Sequence, residues 1–241
     1  MSVIETLERY LLQHFKEDIF QQPLFSSWEK ALRFEIAAAS AKMTDANVLK
    51  QTVERAVTLF DEVFREDDDL LVVAHVYTKK GHNFLERRPL TTYRTFVKSQ
   101  ETLAHLRYIE IPDCPHLNGD DMITHRFLQP GRKKDIEYHL LMELKCTEDT
   151  RMPLTGLKKV PNSRYEVFIV NLSRNMIFNH YNEFGCDIIA ADIEELRSLY
   201  DTYNEWIEDA NRERIDAMFW KRERNSCPTY KKKNSLCAKQ C

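Results

Sequence analysis

Apolar residues recur every three or four positions at Ile4, Leu7, Leu11 and Phe15, a spacing that predicts an amphipathic helix at the start of the chain. A loop with Pro23 follows. Leu32-Arg33-Phe34-Glu35-Ile36 then alternates apolar and charged residues, which predicts a strand with one wet face, while Ala37 to Ala41 pulls towards helix. Thr44 and Asp45 are placed to cap a second helix, whose stripe of Leu49, Val53, Val57, Phe60 and Phe64 leaves Lys50, Glu54, Asp61 and Glu62 outside. That helix runs into Glu66-Asp67-Asp68-Asp69. Acids at a helix C-terminus oppose the macrodipole, so this run is expected at an exposed corner, solvated or paired.

Leu70 to Tyr77 is a nearly continuous apolar run and predicts a central strand covered on both faces. His75 inside it reads as a core histidine with a backbone partner. Leu106 to Ile111 predicts another strand, ended by Pro112, Pro115, Asn118 and Gly119. Thr124 to Leu128 and Ile136 to Lys145 read as two arms of a hairpin closed by Pro130-Gly131-Arg132-Lys133-Lys134-Asp135. In the second arm Ile136, Tyr138, Leu140, Met142 and Leu144 face one way, interrupted by Leu141. An irregular connection over 152–163 leads to strands at Tyr165 to Val170 and Met176 to Tyr181, joined by a turn at Asn171 to Asn175. Asn182 to Gly185 forms the next turn, with Gly185 expected at positive φ, and Cys186 to Ala190 the last strand. Asp192 and Glu195 suit a capping box for a closing helix striped by Ile193, Leu196, Tyr200, Tyr203, Ile207 and Ala210. The sum is an α+β fold: an antiparallel sheet of six or seven strands flanked by N-terminal helices and a long C-terminal helix. Residues 1–220 form one domain, with its most distinctive sequence in 160–220, and 221–241 are expected to be a disordered tail.

Charge adds one feature. The tail carries a net +6, so the remainder of the chain carries −9 against an overall −3. A basic tail can contact nucleic acid by counterion release, but no base-reading motif accompanies it, so a solvated terminus is the preferred reading. No apolar run approaches the roughly 18 residues of a membrane span, and no export signal opens the chain. A cytoplasmic protein is expected. Its six cysteines then read as free thiols.

Candidate chemistry is sparse. Cys227, Cys237 and Cys241 offer three soft ligands without a CxxC pair, and Cys114, His116 and His125 with Asp120 or Asp121 match no justified zinc spacing. Four contiguous acids at Glu66 to Asp69 seldom converge on one cation. No metal or other cofactor is expected. A phosphate-cradling glycine loop, a G-x-S-x-G elbow and an H-E-x-x-H pair are all missing from a chain with five glycines.

Tyr181-Asn182-Glu183-Phe184-Gly185-Cys186-Asp187-Ile188-Ile189-Ala190, followed by Leu196, Tyr200 and Trp206, resembles the bacterial domain of unknown function 3885 family. That family's hallmark is a Tyr-Asp-Asp-Arg-Gly turn before an Asp-Ile/Val-Ile-Ala strand. Pro23-Leu24-Phe25, Trp28 and Leu32-Arg33-Phe34-Glu35 also resemble its long members. Here Asn182, Glu183 and Phe184 replace the two aspartates and the arginine, which removes a charge pair from the turn and supplies an apolar knob. The resemblance implies no activity.

Two functions are therefore weighed on the residues. The first is a protein-interaction module, such as an immunity or antitoxin-like protein, that binds a basic partner, possible toxins included, through Glu66, Asp67, Asp68 and Asp69 or through the turn at Tyr181, Asn182, Glu183, Phe184, Gly185 and Asp187. The second is a hydrolase or nucleotide-modifying enzyme with His180, Glu183 and Asp187 as its cluster. The second requires His180 and Asp187 to share one face of the sheet.

Overall fold

From Leu70 through Thr78 every residue of the strand Asp69–Lys79 is buried. This is the covered central strand that its unbroken apolar run predicts. The computed structural model describes residues 3–226 apart from 18, 21–22, 39, 82–100, 102–103, 113–121 and 148–163. Among these, seven strands form one sheet: β1 (Ala31–Glu35), β2 (Asp69–Lys79), β3 (Arg107–Pro112), β4 (Met122–Arg132), β5 (Arg164–Asn171), β6 (Met176–Asn182) and β7 (Gly185–Ala190). Their order is β1-β7-β6-β5-β2-β4-β3, and every pairing is antiparallel. The fold is α+β, as the sequence predicts.

Helices cover both faces. On one lie α1 (Val3–His14) and α2 (Leu24–Ser27), with Phe20 packing on Phe168 and Tyr10 donating to the Asn171 carbonyl. On the other lie α3 (Ala46–Val63) and α4 (Tyr138–Cys146), where Phe60 and Phe64 meet Phe178 edge-on and Phe60 stacks on Tyr138 at 4.7 Å. Asp45 caps α3 by accepting the Asn47 and Val48 N–H groups. Two further helices, α5 (Glu194–Thr202) and α6 (Arg212–Ser226), close the domain.

The expected hairpin over 124–145 does not form. β4 runs straight through Pro130-Gly131 to Arg132, with Pro130 opposite Leu71. β3 stops opposite Leu128, so among the described residues one flank of β4 is open there, a position where a strand tolerates proline. Residues 138–146 are helix because Leu140-Leu141-Met142 would split between two faces of a strand, whereas Leu141, Met142, Lys145 and Cys146 share one buried helical face.

The stripe expected over 193–210 is also divided. α5 ends at Thr202, two short 3-10 turns follow at Asn204–Trp206 and Asp209–Asn211, and Ile207 lies extended between them, bridged to Phe34. Arg212 fixes this path by donating to the Asn204 and Ile207 carbonyls, and the Glu208 N–H bonds the Arg33 carbonyl. No reciprocal capping box forms at α5: Asp192 accepts the Glu194 N–H, but the Glu195 carboxylate is held by Arg174. Residues 221–226, expected as the start of a loose tail, continue α6. Residues 227–241, with Cys227, Cys237 and Cys241, lie outside the described residues. Residues 37–38 and 40–41 form bends and turns, not helix.

Candidate functional site

β6 and β7 form a hairpin in which Asn182 pairs with Gly185, leaving Glu183 and Phe184 as a two-residue loop. The Asn182 side chain accepts the Phe184 N–H at 2.9 Å, and the Phe184 carbonyl accepts the Ile36 N–H, so the loop is tied to the end of β1. Gly185 does not take positive φ, contrary to expectation; that conformation belongs to Asn175, at φ 53°, in the preceding turn. Glycine is needed at 185 for a different reason. A Cβ there would run into the Tyr181 phenol and stand 2.9 Å from the Phe34 carbonyl.

Tyr181 lies across Gly185 and over Arg33, whose guanidinium carbon is 5.1 Å from the ring centre. Arg33 lies opposite Asp187 in the β1–β7 ladder and grips it with two bonds, Nε to Oδ1 at 2.7 Å and Nη2 to Oδ2 at 2.8 Å. Asp187 Oδ2 also accepts the Phe25 N–H at 3.0 Å. Pro23, which precedes α2, makes no side-chain cap, so this distant carboxylate satisfies one of the first N–H groups of that helix. The Phe25 ring contacts Arg33 at 5.2 Å and Arg214 at 4.1 Å, and Trp28 Nε1 donates to the Ala190 carbonyl. Phe25, Trp28, Arg33, Tyr181, Gly185 and Asp187, drawn from both stretches of family resemblance, thus meet in one clasp.

The electrostatics are those of an anchor. Burial alone would lower the Arg33 guanidinium, but the bonds to and charge of Asp187 outweigh it and leave the group above its ordinary value. Burial pushes the Asp187 carboxyl and the Tyr181 phenol up, with Arg33 pulling both the other way. Both Asp187 oxygens are engaged, so the carboxylate is positioned to hold structure and has no proton to pass on.

His180 is on the opposite face. It lies across from Cys186, while Asp187 lies across from Asn179, and adjacent positions of a strand point to opposite sides. His180 is buried against α4, with Nε2 3.8 Å from Cys146 Sγ and Nδ1 3.2 Å from Met142 Sδ. Burial lowers it to about 3, so it is neutral at pH 7. Burial likewise pushes the Cys146 thiol up to about 12 and Cys186 well above its usual value, so neither is a thiolate nucleophile. The cluster of His180, Glu183 and Asp187 required by the enzyme reading does not assemble.

The acidic corner is partly consumed by the fold. Asp68 is buried, accepting from the Arg65 N–H and from Asn171 Nδ2. The buried ammonium of Lys133 donates to the Phe64 carbonyl and sits 2.8 Å from Asp61 and 3.7 Å from Glu66. Arg174 donates to the Glu62 and Val63 carbonyls, and Asn171 to Val63. The end of α3 is therefore capped by cations and an amide, which offsets the unfavourable acids. Asp69 is exposed 3.8 Å from Arg132, and Asp67 is exposed.

A polar relay that sequence reasoning missed crosses the α1 face of the sheet. Arg126 Nε donates to His75 Nε2 at 2.8 Å, His75 Nδ1 lies 3.4 Å from the Tyr77 hydroxyl, and that hydroxyl donates to Glu166 at 2.6 Å. Because arginine only donates, His75 Nε2 accepts and Nδ1 carries the proton. Burial, then the charge of Arg126, lowers His75 to about 3. Its partners are side chains and not the expected backbone group. On the other face His125 is buried between Thr78 and Tyr108, each at 2.8 Å. Cys114, His116, Asp120 and Asp121 lie outside the described residues, among which no group of three or more histidines, cysteines or acids is placed to hold a metal ion. No helix among them is long and apolar enough to cross a membrane.

Over 210 residues the chain is 23% identical to the uncharacterized protein YnaE of Bacillus subtilis (strain 168), covering 83% of this chain and 96% of that one. No solved structure matches. The family described as a domain of unknown function (DUF3885) matches residues 7–211, a span holding all seven strands and the whole clasp, and the chain belongs to that family.

Proposed function

We propose that the protein is an interaction module that binds a basic partner protein, in the manner of an immunity or antitoxin-like protein that covers the working surface of a cationic toxin. The observation that carries this reading is an acidic ridge along α5 and the turns after it. Asp192, Glu194, Asp201, Glu205 and Asp209 are exposed, and Arg197 is the one cation in residues 192–209. The ridge adjoins the exposed acids at the end of α3, where the Tyr203 hydroxyl donates to Glu62 at 3.0 Å and Asp67 faces solvent. Clustered exposed carboxylates on rigid helices steer a basic partner at long range and lose that effect as salt screens them. The hairpin turn, with half-buried Glu183 and Phe184, is a second contact candidate.

The test is co-purification from the producing cells, followed by binding of the captured protein in purified form. A basic protein held stoichiometrically, released by rising salt and weakened at least ~tenfold by joint Asp201→Lys and Glu205→Lys, is expected. A captured partner insensitive to both, or no partner, would overturn the reading.

A further inference from the structure

Beside the clasp, on the α3 side, the bends after β1 and the first three turns of α3 enclose a cleft of about 660 Å3. Its volume falls within the range of small-ligand sites. One wall is apolar, made by Ile36, Ala37, Ala41 and Val48. Two cations, Lys42 and Arg55, also line the cleft.

Arg55 is the informative residue. It is half-buried, and its guanidinium carbon stands 5.1 Å from the Trp206 ring centre. Stacking on an indole restrains a guanidinium while leaving its edge N–H groups to bond elsewhere. Among the described residues neither Arg55 nor Lys42 has a carboxylate partner, although the chain without its tail is strongly acidic. The one carboxylate lining the cleft, Asp45, is committed to capping α3. Gln51 and Ser40 add neutral donors at the rim.

We infer that this cleft binds a small organic anion, a carboxylate or phosphate on an apolar body. The planar fork of Arg55 takes the anion edge-on, Lys42 adds a second positive charge, and the alanine-lined wall takes the body. The Phe184 carbonyl accepts the N–H of Ile36, a residue of the cleft wall, so the family hairpin forms part of the frame of the site.

The experiment titrates the full chain with benzoate, phenyl phosphate and inorganic phosphate, read by calorimetry and by protection from thermal unfolding. Saturable one-to-one binding of benzoate or phenyl phosphate is expected, and whichever binds tighter identifies the anionic group. Arg55→Gln should weaken it at least ~tenfold and Arg55→Lys by less, with the ligand-free variants still unfolding in one cooperative transition. Glutamine is a good helix former, so the first variant should keep α3 intact. Absence of saturable binding to both organic probes, equal binding of inorganic phosphate, or binding that survives Arg55→Gln would each overturn the inference.

Discussion

Arg33 and Asp187, 154 residues apart in sequence, face each other across the β1–β7 ladder and share two hydrogen bonds of 2.7 and 2.8 Å. The carboxylate is 1% exposed and the arginine side chain 16%. Removing one member of such a pair strands the other charge in the interior, whereas replacing both with apolar residues removes the desolvation cost too. Asp187→Ala is expected to destabilise the fold by about 3–5 kcal/mol, and Arg33→Met with Asp187→Leu by markedly less, measured by urea unfolding. Equal losses would show that the ion pair itself, and not the uncompensated charge, dominates.

Gly185→Ala tests the close approach. The added methyl must displace the Tyr181 ring and press on the Phe34 carbonyl, which belongs to the β1 backbone and has little room to move. Overpacking of this kind costs about 1–3 kcal/mol. Tyr181→Ala in the same chain should recover part of the loss, because the ring is one of the two obstacles. Unfolding midpoints of the single and double variants decide it.

Two buried histidines make stability depend on acidity. His75 and His180 each sit near 3 in the fold against about 6.5 when unfolded. The unfolded chain therefore binds protons that the fold refuses. Their contribution is complete above pH 6.5 and is lost as pH falls towards 3, by about 2 kcal/mol for each between pH 6.5 and 5. Replacing His180 with Leu should flatten that part of the profile, as followed by denaturant unfolding at several pH values. A slope unchanged by the replacement would assign the acid sensitivity elsewhere.

Lys133→Met tests how α3 ends. The ammonium is buried and caps the Phe64 carbonyl while facing Asp61, and methionine keeps the stem but removes both bonds. A loss of about 2 kcal/mol is expected. Most of it should persist in high salt, because the bond to the buried carbonyl is not screened.

Strand periodicity made most of the sheet legible, because β1, β2 and β5 to β7 each carry an apolar run or alternation bounded by turn residues. It failed at 136–146, where Leu140-Leu141-Met142 supports either period and only packing against α3 and β6 selects the helix. Pro130-Gly131 read as a turn for a related reason: a proline is a breaker only where its neighbours need its N–H, and the missing partner beyond Leu128 is a tertiary fact. At the clasp, Tyr181, Gly185 and Asp187 stood out through the resemblance of the turn, and Arg33 through that of Leu32-Arg33-Phe34-Glu35, but neither stretch points to the other. Register across 154 residues joins them, and no local pattern encodes it. The opposition of His180 and Asp187 was equally hidden: regular pairing outward from Asn182 and Gly185 would set the two directly opposite, and the register shift between His180 and Asn182 puts them on different faces.

The sheet order has a consequence for how the protein is made. β1 leaves the ribosome before the other six described strands of the sheet, yet its only ladder partner among the described residues is β7, the last of the seven. The centre of the sheet can assemble while synthesis continues, but β1 must wait for roughly 150 further residues, with its apolar side chains unsheltered in the meantime. Closure of the domain is thus a late event, and a chain halted before residue 185 would carry an unclaimed edge ready to pair with the wrong neighbour.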